Sequence, residues 1–199
     1  MTRFGWFFVG LIVILFGGFL AMTSFGGRSS VAVRTATVLH RVLPPRAVRS
    51  IPGLLAVPVA GYARGDIQDN WGDARGGGTR VHHGTDIMAA GGTPVLAAAA
   101  GTIEKLFQSR LGGTTLYVRS LDRRWTYYYA HLSGYAPGIH EGQVVKPGYR
   151  LGFVGDTGDA GPGNYHLHFG VERLLPEQHW WQGEETNPYP LLAGHASSR

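Results

Sequence analysis

Short runs of apolar and β-branched residues recur along the chain after Pro52-Gly53, and glycine-rich breaks separate them. No window shows a sustained apolar period of 3.6 residues flanked by helix-capping residues. Short apolar runs bounded by such breaks are typical of β-strands. Examples are residues 93–96, 101–107, 114–119, 124–129 and 168–171. The pattern predicts an all-β domain over residues 54–193, followed by a short tail at residues 194–199.

The first 27 residues follow a different pattern. No charged residue lies between Phe4 and Gly27, and a helix of that length spans about 36 Å, which exceeds the ~30 Å hydrocarbon core of a bilayer. The apolar run is longer than that of a cleaved signal peptide, and it lacks a clear small-residue cleavage site. We therefore expect residues 1–27 to form one N-terminal transmembrane helix, with a cleaved signal segment as the alternative.

Positive charge is concentrated ahead of the predicted domain. Residues 1–64 contain seven arginines and no acidic residue, whereas residues 65–199 contain eleven basic and thirteen acidic residues, a net charge of −2. The formal charge of +5 therefore arises in the N-terminal segment, which includes a basic linker predicted at residues 28–53. A nucleic-acid-binding protein needs its basic residues on the folded surface, where they meet phosphates. We accordingly expect no nucleic-acid partner.

Cysteine is absent from the chain. Its absence excludes disulfide bonds, cysteine-ligated zinc sites and thiol nucleophiles. Any metal ion must therefore be held by histidine and carboxylate side chains.

Histidines cluster in two segments, residues 81–86 and 165–169. On a β-strand, residues two or four apart face the same side, whereas residues one or three apart face opposite sides. This alternation groups His82 with Asp86, turns His83 away, and places His166 beside His168. A catalytic zinc ion takes three protein ligands and a water molecule. Any three of the four grouped side chains could supply those ligands.

A further histidine, His131, follows a row of aromatic residues. If the strand continues, Trp125, Tyr127, Tyr129 and His131 share one face. The alternative is that these aromatic residues belong to the core and that His131 only ends the strand. The chain has no His-Glu-x-x-His motif, so no glutamate stands beside the metal to act as a base. A histidine would have to take that role.

Several segments, in order along the chain, resemble the lysostaphin-type (LytM-like) zinc endopeptidases, which cut peptide cross-bridges in peptidoglycan. The similarity covers most of residues 57–192. Its histidine motifs are His82-x-Gly84-x-Asp86, Tyr129-Ala130-His131-Leu132-Ser133 and His166-Leu167-His168-Phe169, and its other segments are residues 57–61, 72–75, 92–101 and 152–158. One departure lies at residues 161–166, where the family usually has Gly-Pro-His and this chain has Gly-Pro-Gly-Asn-Tyr-His.

The resemblance implies an antiparallel β fold with a barrel-sandwich-like portion and a groove over the metal. It implies one Zn²⁺ per chain with His82, Asp86 and His168 as ligands, and it implies His131 and His166 as the catalytic histidines. The expected function is the hydrolysis of peptide cross-links of bacterial peptidoglycan by metal-activated water. The expected partners are a peptidoglycan peptide as substrate and, through the N-terminal segment, the membrane.

The substrate also decides the expected location. Peptidoglycan lies outside the cytoplasmic membrane, so we expect a membrane-anchored protein of the cell envelope whose catalytic domain faces the periplasm or wall. The flanking charges favour the opposite orientation, because Arg28, Arg34 and Arg41 follow the apolar segment and only Arg3 precedes it. Large C-terminal domains can nevertheless be translocated regardless of such charges.

Two alternatives to this function remain at the level of sequence. The first is a catalytically silent wall-binding or hydrolase-activating module of the same fold. Such relatives typically lose metal ligands, whereas this chain retains all five groups. The second is a carrier-like hairpin domain with Lys146 as its modified residue, suggested by residues 141–148. That stretch is more simply a β-turn, and the carrier function does not explain the histidines.

Overall fold

Eleven β-strands make up most of the regular structure in residues 53–195, the part of the chain that the computed structural model describes. Their bounds are β1 (Ala74–Arg75), β2 (Arg80–Val81), β3 (Thr85–Met88), β4 (Pro94–Leu96), β5 (Gly101–Ser109), β6 (Gly113–Ser120), β7 (Trp125–Tyr135), β8 (Val144–Val145), β9 (Arg150–Val154), β10 (His166–Arg173) and β11 (Glu184–Thr186). One short helix, α1 (Tyr189–Ala193), and two 3-10 helices, at Arg64–Asp66 and Gly158–Ala160, complete the regular elements of this region. The prediction of an all-β domain is confirmed in part, because the described region is mostly β but also contains these three short helices.

All strand pairs are antiparallel. β1 and β2 form a separate two-stranded ribbon, and the other nine strands belong to one sheet. Its main path runs β11-β10-β7-β6-β5-β8, with β3 beside β10 and with β9 between β4 and β7. An antiparallel sheet can pack one face on a core and leave the other accessible.

β10 is the strand on which the two faces differ most clearly. One edge pairs with β7, and the other edge pairs with β3 near its start and with β11 near its end. Leu167, Phe169 and Val171 alternate into the hydrophobic core. The intervening side chains, beginning with His166 and His168, line a groove on the opposite face. The period of two along a strand thus gives β10 a core face and a groove face.

A β-bulge in β7 changes the face of His131. Strict alternation predicted His131 on the face of Tyr127 and Tyr129, which lie in the core. That prediction is wrong: His131 lines the groove, as Tyr128 does. Its φ is +59°, and the pairing of β7 with β6 shifts register between Thr114 and Leu116. An extra residue at a bulge reverses the side to which the next side chain points.

The predicted N-terminal transmembrane helix (residues 1–27) lies outside the described residues, as do all but the last residue of the predicted linker (28–53) and all but the first two residues of the predicted tail (194–199). Within residues 53–195, no helix is long and apolar enough to cross a membrane.

Candidate metal centre

Three of the side chains that line the groove converge. His82 Nε2, Asp86 Oδ1 and His168 Nδ1 lie 3.0 Å from one another. His82 is buried, and Asp86 and His168 are largely buried. In the described part of the chain, these are the histidine and acidic side chains whose ligand atoms lie close enough to hold one metal ion.

The sheet brings Asp86 and His168 together. Asp86 on β3 is the direct cross-strand partner of His168 on β10, and side chains at such a position project to the same face. Gly84 allows the backbone just before β3 to lie close to the ring of His168, because a Cβ atom on residue 84 would lie 2.5 Å from His168 Cε1.

His82 reaches the cluster by a route that differs from the predicted one. The alternation argument placed His82 and Asp86 on one strand, but β2 ends at Val81 and β3 begins at Thr85. His82 therefore lies in the break between two strands. The two side chains do meet, but a shared strand face is not the reason. The carbonyl of Asp73 accepts a hydrogen bond of 2.9 Å from the backbone N–H of His82, which holds the histidine in this break.

The donor atoms of this cluster suit a cation. His82 Nδ1 lies 2.7 Å from the backbone carbonyl of Asn70, and it must donate because a carbonyl has no proton. Nε2 of the neutral ring is then an acceptor, and it faces the carboxylate oxygen of Asp86. Two acceptors 3.0 Å apart repel each other unless a proton or a cation lies between them. Nitrogen and carboxylate oxygen are ligands that zinc accepts.

Asp86 is held as an anion. Burial disfavours its charged form, but the contacts with His168 and His82 outweigh burial and lower the pKa of the carboxyl far below its usual range. Its second oxygen, Oδ2, accepts a hydrogen bond of 2.6 Å from Arg75 Nη2. Arg75 belongs to one of the segments that resemble the family, residues 72–75, and no role was predicted for it from the sequence. The structure shows that it leaves Oδ1 to face the two histidines.

His131 and His166 lie beside the cluster. Their rings are 4.7 Å apart, and the ring of His131 lies 5.9 Å from that of His168. His166 Nε2 lies 3.8 Å from Asp86 Oδ1. The structure therefore brings all five predicted site residues into one neighbourhood.

Backbone carbonyls fix the orientation of these two rings as well. His131 Nδ1 donates to the carbonyl of Thr157 at 2.8 Å, and His166 Nδ1 donates to the carbonyl of Asn164 at 2.8 Å. In a neutral ring, Nε2 is then free to accept a proton. Burial lowers the pKa of His131 and that of His168, so both rings are neutral at pH 7.

The groove extends from the cluster along β10 and encloses about 680 Å³. Tyr128 packs edge-on to His168 at 5.8 Å and stacks on Tyr117 at 4.6 Å. Glu172 lies farther along the same face of β10 and also lines the groove.

Two other candidates from the sequence are outside the cluster. His83 lines the same groove, where its Nδ1 contacts a carboxylate oxygen of Glu185 and its ring stacks on Trp71. Lys146 is exposed and does not line this groove.

Asn70 contacts the cluster, although nothing in the sequence predicted a role for it. Its side-chain amide and its backbone carbonyl bond to two members of the cluster. Asn70 precedes the first histidine motif by twelve residues and belongs to no strand, so no periodicity or spacing marked it.

Comparison with known proteins identifies related sequences. The profile of peptidase family M23 matches residues 80–188. The chain is 40% identical over 131 residues to the L-Ala--D-Glu endopeptidase of Bacillus subtilis, a match that covers 63% of this chain and 39% of that protein. It is 36% identical over 94 residues to the peptidoglycan DD-endopeptidase ShyC of Vibrio cholerae, covering 47% of this chain and 20% of that protein. The chain thus spans less than half the length of these curated relatives.

Solved structures show a similar fold. The catalytic domain of the antimicrobial peptidase lysostaphin from Staphylococcus simulans is 28% identical with a TM-score of 0.52, and the match covers 63% of this chain and 90% of that domain. Csd3 of Helicobacter pylori is 26% identical with a TM-score of 0.54, covering 70% of this chain and 34% of that one.

Proposed function

The chain belongs to peptidase family M23, and from this premise we propose that it is a zinc-dependent endopeptidase that hydrolyses peptide cross-links of bacterial peptidoglycan. His82, Asp86 and His168 would hold one zinc ion, and His131 and His166 would be the catalytic histidines. Three ligand atoms that lie 3.0 Å from one another support the zinc site most strongly.

When bound, zinc supplies a Lewis acid that polarises the scissile carbonyl and lowers the pKa of a coordinated water. The protein must then supply a proton acceptor for the attacking water. His131 suits this role, because burial lowers its pKa and the carbonyl of Thr157 leaves Nε2 free. His131 would pass the proton to the leaving amine.

His166 is left for the oxyanion that develops on the carbonyl. Its Nδ1 is committed to the carbonyl of Asn164, so only Nε2 can donate a hydrogen bond to the substrate, and that role requires a proton on Nε2. A donor aimed at developing charge stabilises the transition state more than the ground state.

We place the substrate in the cell wall because a relative named as a peptidoglycan DD-endopeptidase shares this domain. A membrane tether at residues 1–27 would hold the domain at the outer face of the cytoplasmic membrane, within reach of that substrate. Both the location and the tether belong to the proposal.

Digestion of purified sacculi by the full chain tests the function. We expect soluble peptide products, their loss after chelation, and their return on addition of zinc, all followed by mass spectrometry. His131→Ala should still bind one zinc ion per chain but lower the cleavage rate by roughly 10²–10⁴-fold. His140→Ala, at an exposed histidine outside the groove, is the control and should cleave as the wild type does.

Three results would contradict parts of the proposal. Cleavage that survives complete chelation would exclude the zinc mechanism. Stoichiometric zinc without any cleavage by the wild type would favour the catalytically silent module. Full activity in His131→Ala would remove that residue from the chemistry.

A further inference from the structure

We propose that Asn70 is a positioning residue that holds Asp86 and His82 in the relative placement that a zinc ion requires, an inference that rests on the proposed function. It deepens that function by naming a residue outside the ligand set on which zinc affinity depends.

The side chain of Asn70 binds both backbone groups of Asp86. Asn70 Nδ2 donates to the Asp86 carbonyl at 3.1 Å, and the Asp86 N–H donates to Asn70 Oδ1 at 3.0 Å. The side-chain amide of Asn70 thus makes the same pair of hydrogen bonds to the backbone of Asp86 that a residue of a neighbouring strand would make. In the described region β3 pairs only with β10, so the amide of Asn70 gives Asp86 a second support.

The backbone of Asn70 acts on the second ligand. Its carbonyl accepts the 2.7 Å hydrogen bond from His82 Nδ1. This bond selects the tautomer of His82 in which Nε2 carries the lone pair directed at the cluster. His82 lies between strands, so no strand ladder orients its ring.

One residue therefore connects two ligands that come from different elements. If the side chain of Asn70 releases Asp86, the carbonyl at position 70 also loses its anchor against β3. Asp86 and the ring of His82 would then move independently, and the triangle of ligand atoms would exist for a smaller fraction of the time. A site that must be assembled on binding has a lower apparent affinity.

Asn70 is not among the residues that line the groove. A change at this position should therefore leave the substrate-binding surface as it is. The expected effect is on zinc affinity, while KM at saturating zinc stays close to that of the wild type. Substitution of a residue that contacts the substrate but no zinc ligand would instead change KM and leave zinc affinity as it is.

Zinc affinity of the full chain, measured by competition with a chromogenic chelator, is the first test. Asn70→Ala should bind zinc roughly 10–100-fold more weakly than the wild type, the usual effect of losing a partner of a metal ligand. Asn187→Ala is the matched control: Asn187 is also half-buried, and its Oδ1 accepts a 2.9 Å hydrogen bond from the backbone N–H of Tyr189. We expect the control to bind zinc within about twofold of the wild type.

A spectroscopic measurement does not require zinc. The ¹⁵N shifts of His82 in the zinc-free protein report which nitrogen carries the proton. We expect the Nδ1–H form in the wild type and a larger share of the Nε2–H form in Asn70→Ala. An unchanged tautomer together with unchanged zinc affinity in Asn70→Ala would overturn the inference.

A second variant covers the case in which Asn70→Ala does not fold. Asn70→Asp retains an oxygen that can accept from the Asp86 N–H but cannot donate to its carbonyl. It should fold and bind zinc more tightly than Asn70→Ala where both can be measured, and an affinity equal to the wild type's would contradict the need for the donated bond. If the wild type itself bound no zinc, the proposed function would fail; if only the Asn70 variants matched the wild type, the inference alone would fail.

Discussion

Glu172 carries a carboxyl group in an unfavourable position. It is half-buried on the groove face of β10, and its direct partner across the β10–β11 pair is Glu185, another acid. Burial and the charge of Glu185 raise the pKa of Glu172 to about 7, and only Arg119 opposes them. Folding therefore favours the protonated form of this side chain.

The raised pKa of Glu172 predicts a pH-dependent effect of Glu172→Gln. Between the ordinary pKa of 4.5 and the raised pKa of about 7, the folded state binds more protons than the unfolded state. The stabilising contribution of Glu172 is therefore complete below pH 4.5 and is lost as the pH rises through 7. Glutamine resembles the protonated form at every pH. We expect Glu172→Gln to increase the free energy of unfolding by about 2 kcal/mol at pH 8 and to change it little at pH 4.5.

Urea unfolding of the zinc-free protein at the two pH values measures this difference. Glu184→Gln, at an exposed residue of the adjacent strand β11, serves as the control and should give the same small change at both pH values. Equal stabilisation by Glu172→Gln at pH 4.5 and pH 8 would show that ionisation of Glu172 is not the cause.

The bulge in β7 has its own energetic signature. His131 has a left-handed φ of +59°, a conformation that costs a residue with a Cβ atom about 1–2 kcal/mol. Glycine adopts it without that cost, although glycine destabilises a regular strand by about 0.5–1 kcal/mol relative to alanine. We therefore expect His131→Gly to be more stable than His131→Ala by about 1 kcal/mol in urea unfolding.

Ala130 provides the comparison within the same strand. It is fully buried, and its φ is not positive, so Ala130→Gly should lower stability rather than raise it. If glycine were less stable than alanine at position 131 as well, the bulge would not impose the conformation.

The same bulge marks where strand periodicity ceases to predict the site. Alternation placed His166 and His168 together correctly, because β10 is regular from His166 to Arg173. It failed at His131, where one extra residue reverses the face, and at His82, which lies in a break between two strands. Neither irregularity follows from local sequence preference, since both depend on pairing with a strand or loop that is distant along the chain. The family motifs included His82 and His131 independently of the alternation of side chains along a strand.

At the scale of the whole molecule, a bound zinc ion would act as a cross-link. His82 and His168 are 86 residues apart in sequence, and Asp86 lies on a third element. A ligand that binds only the folded state stabilises it by about 2.7 kcal/mol at a concentration 100-fold above its dissociation constant. For a domain of this size, that corresponds to a rise in Tm of roughly 5–10 °C.

Thermal unfolding with and without zinc tests this cross-link. Asp86→Asn should lose most of the rise in Tm, and magnesium, which prefers octahedral oxygen ligands, should produce none in the wild type. An equal rise with magnesium would indicate nonspecific binding.

The overall class of fold and the family could be predicted from the sequence, because many short motifs of the family are present in the family's order along the chain. The support given by Asn70 and Arg75 could not, because it depends on contacts between loops and strands.

The two-faced strand β10 also constrains how this lineage can change. Groove-facing and core-facing residues alternate along β10. Inserting or deleting one codon within the strand would therefore exchange the groove face for the core face. Evolution can therefore substitute residues in this strand but cannot insert or delete a single residue within it. The loops that precede and follow β10 are free of that constraint, and gaps in an alignment of descendants should accumulate there and stop at the borders of the strand.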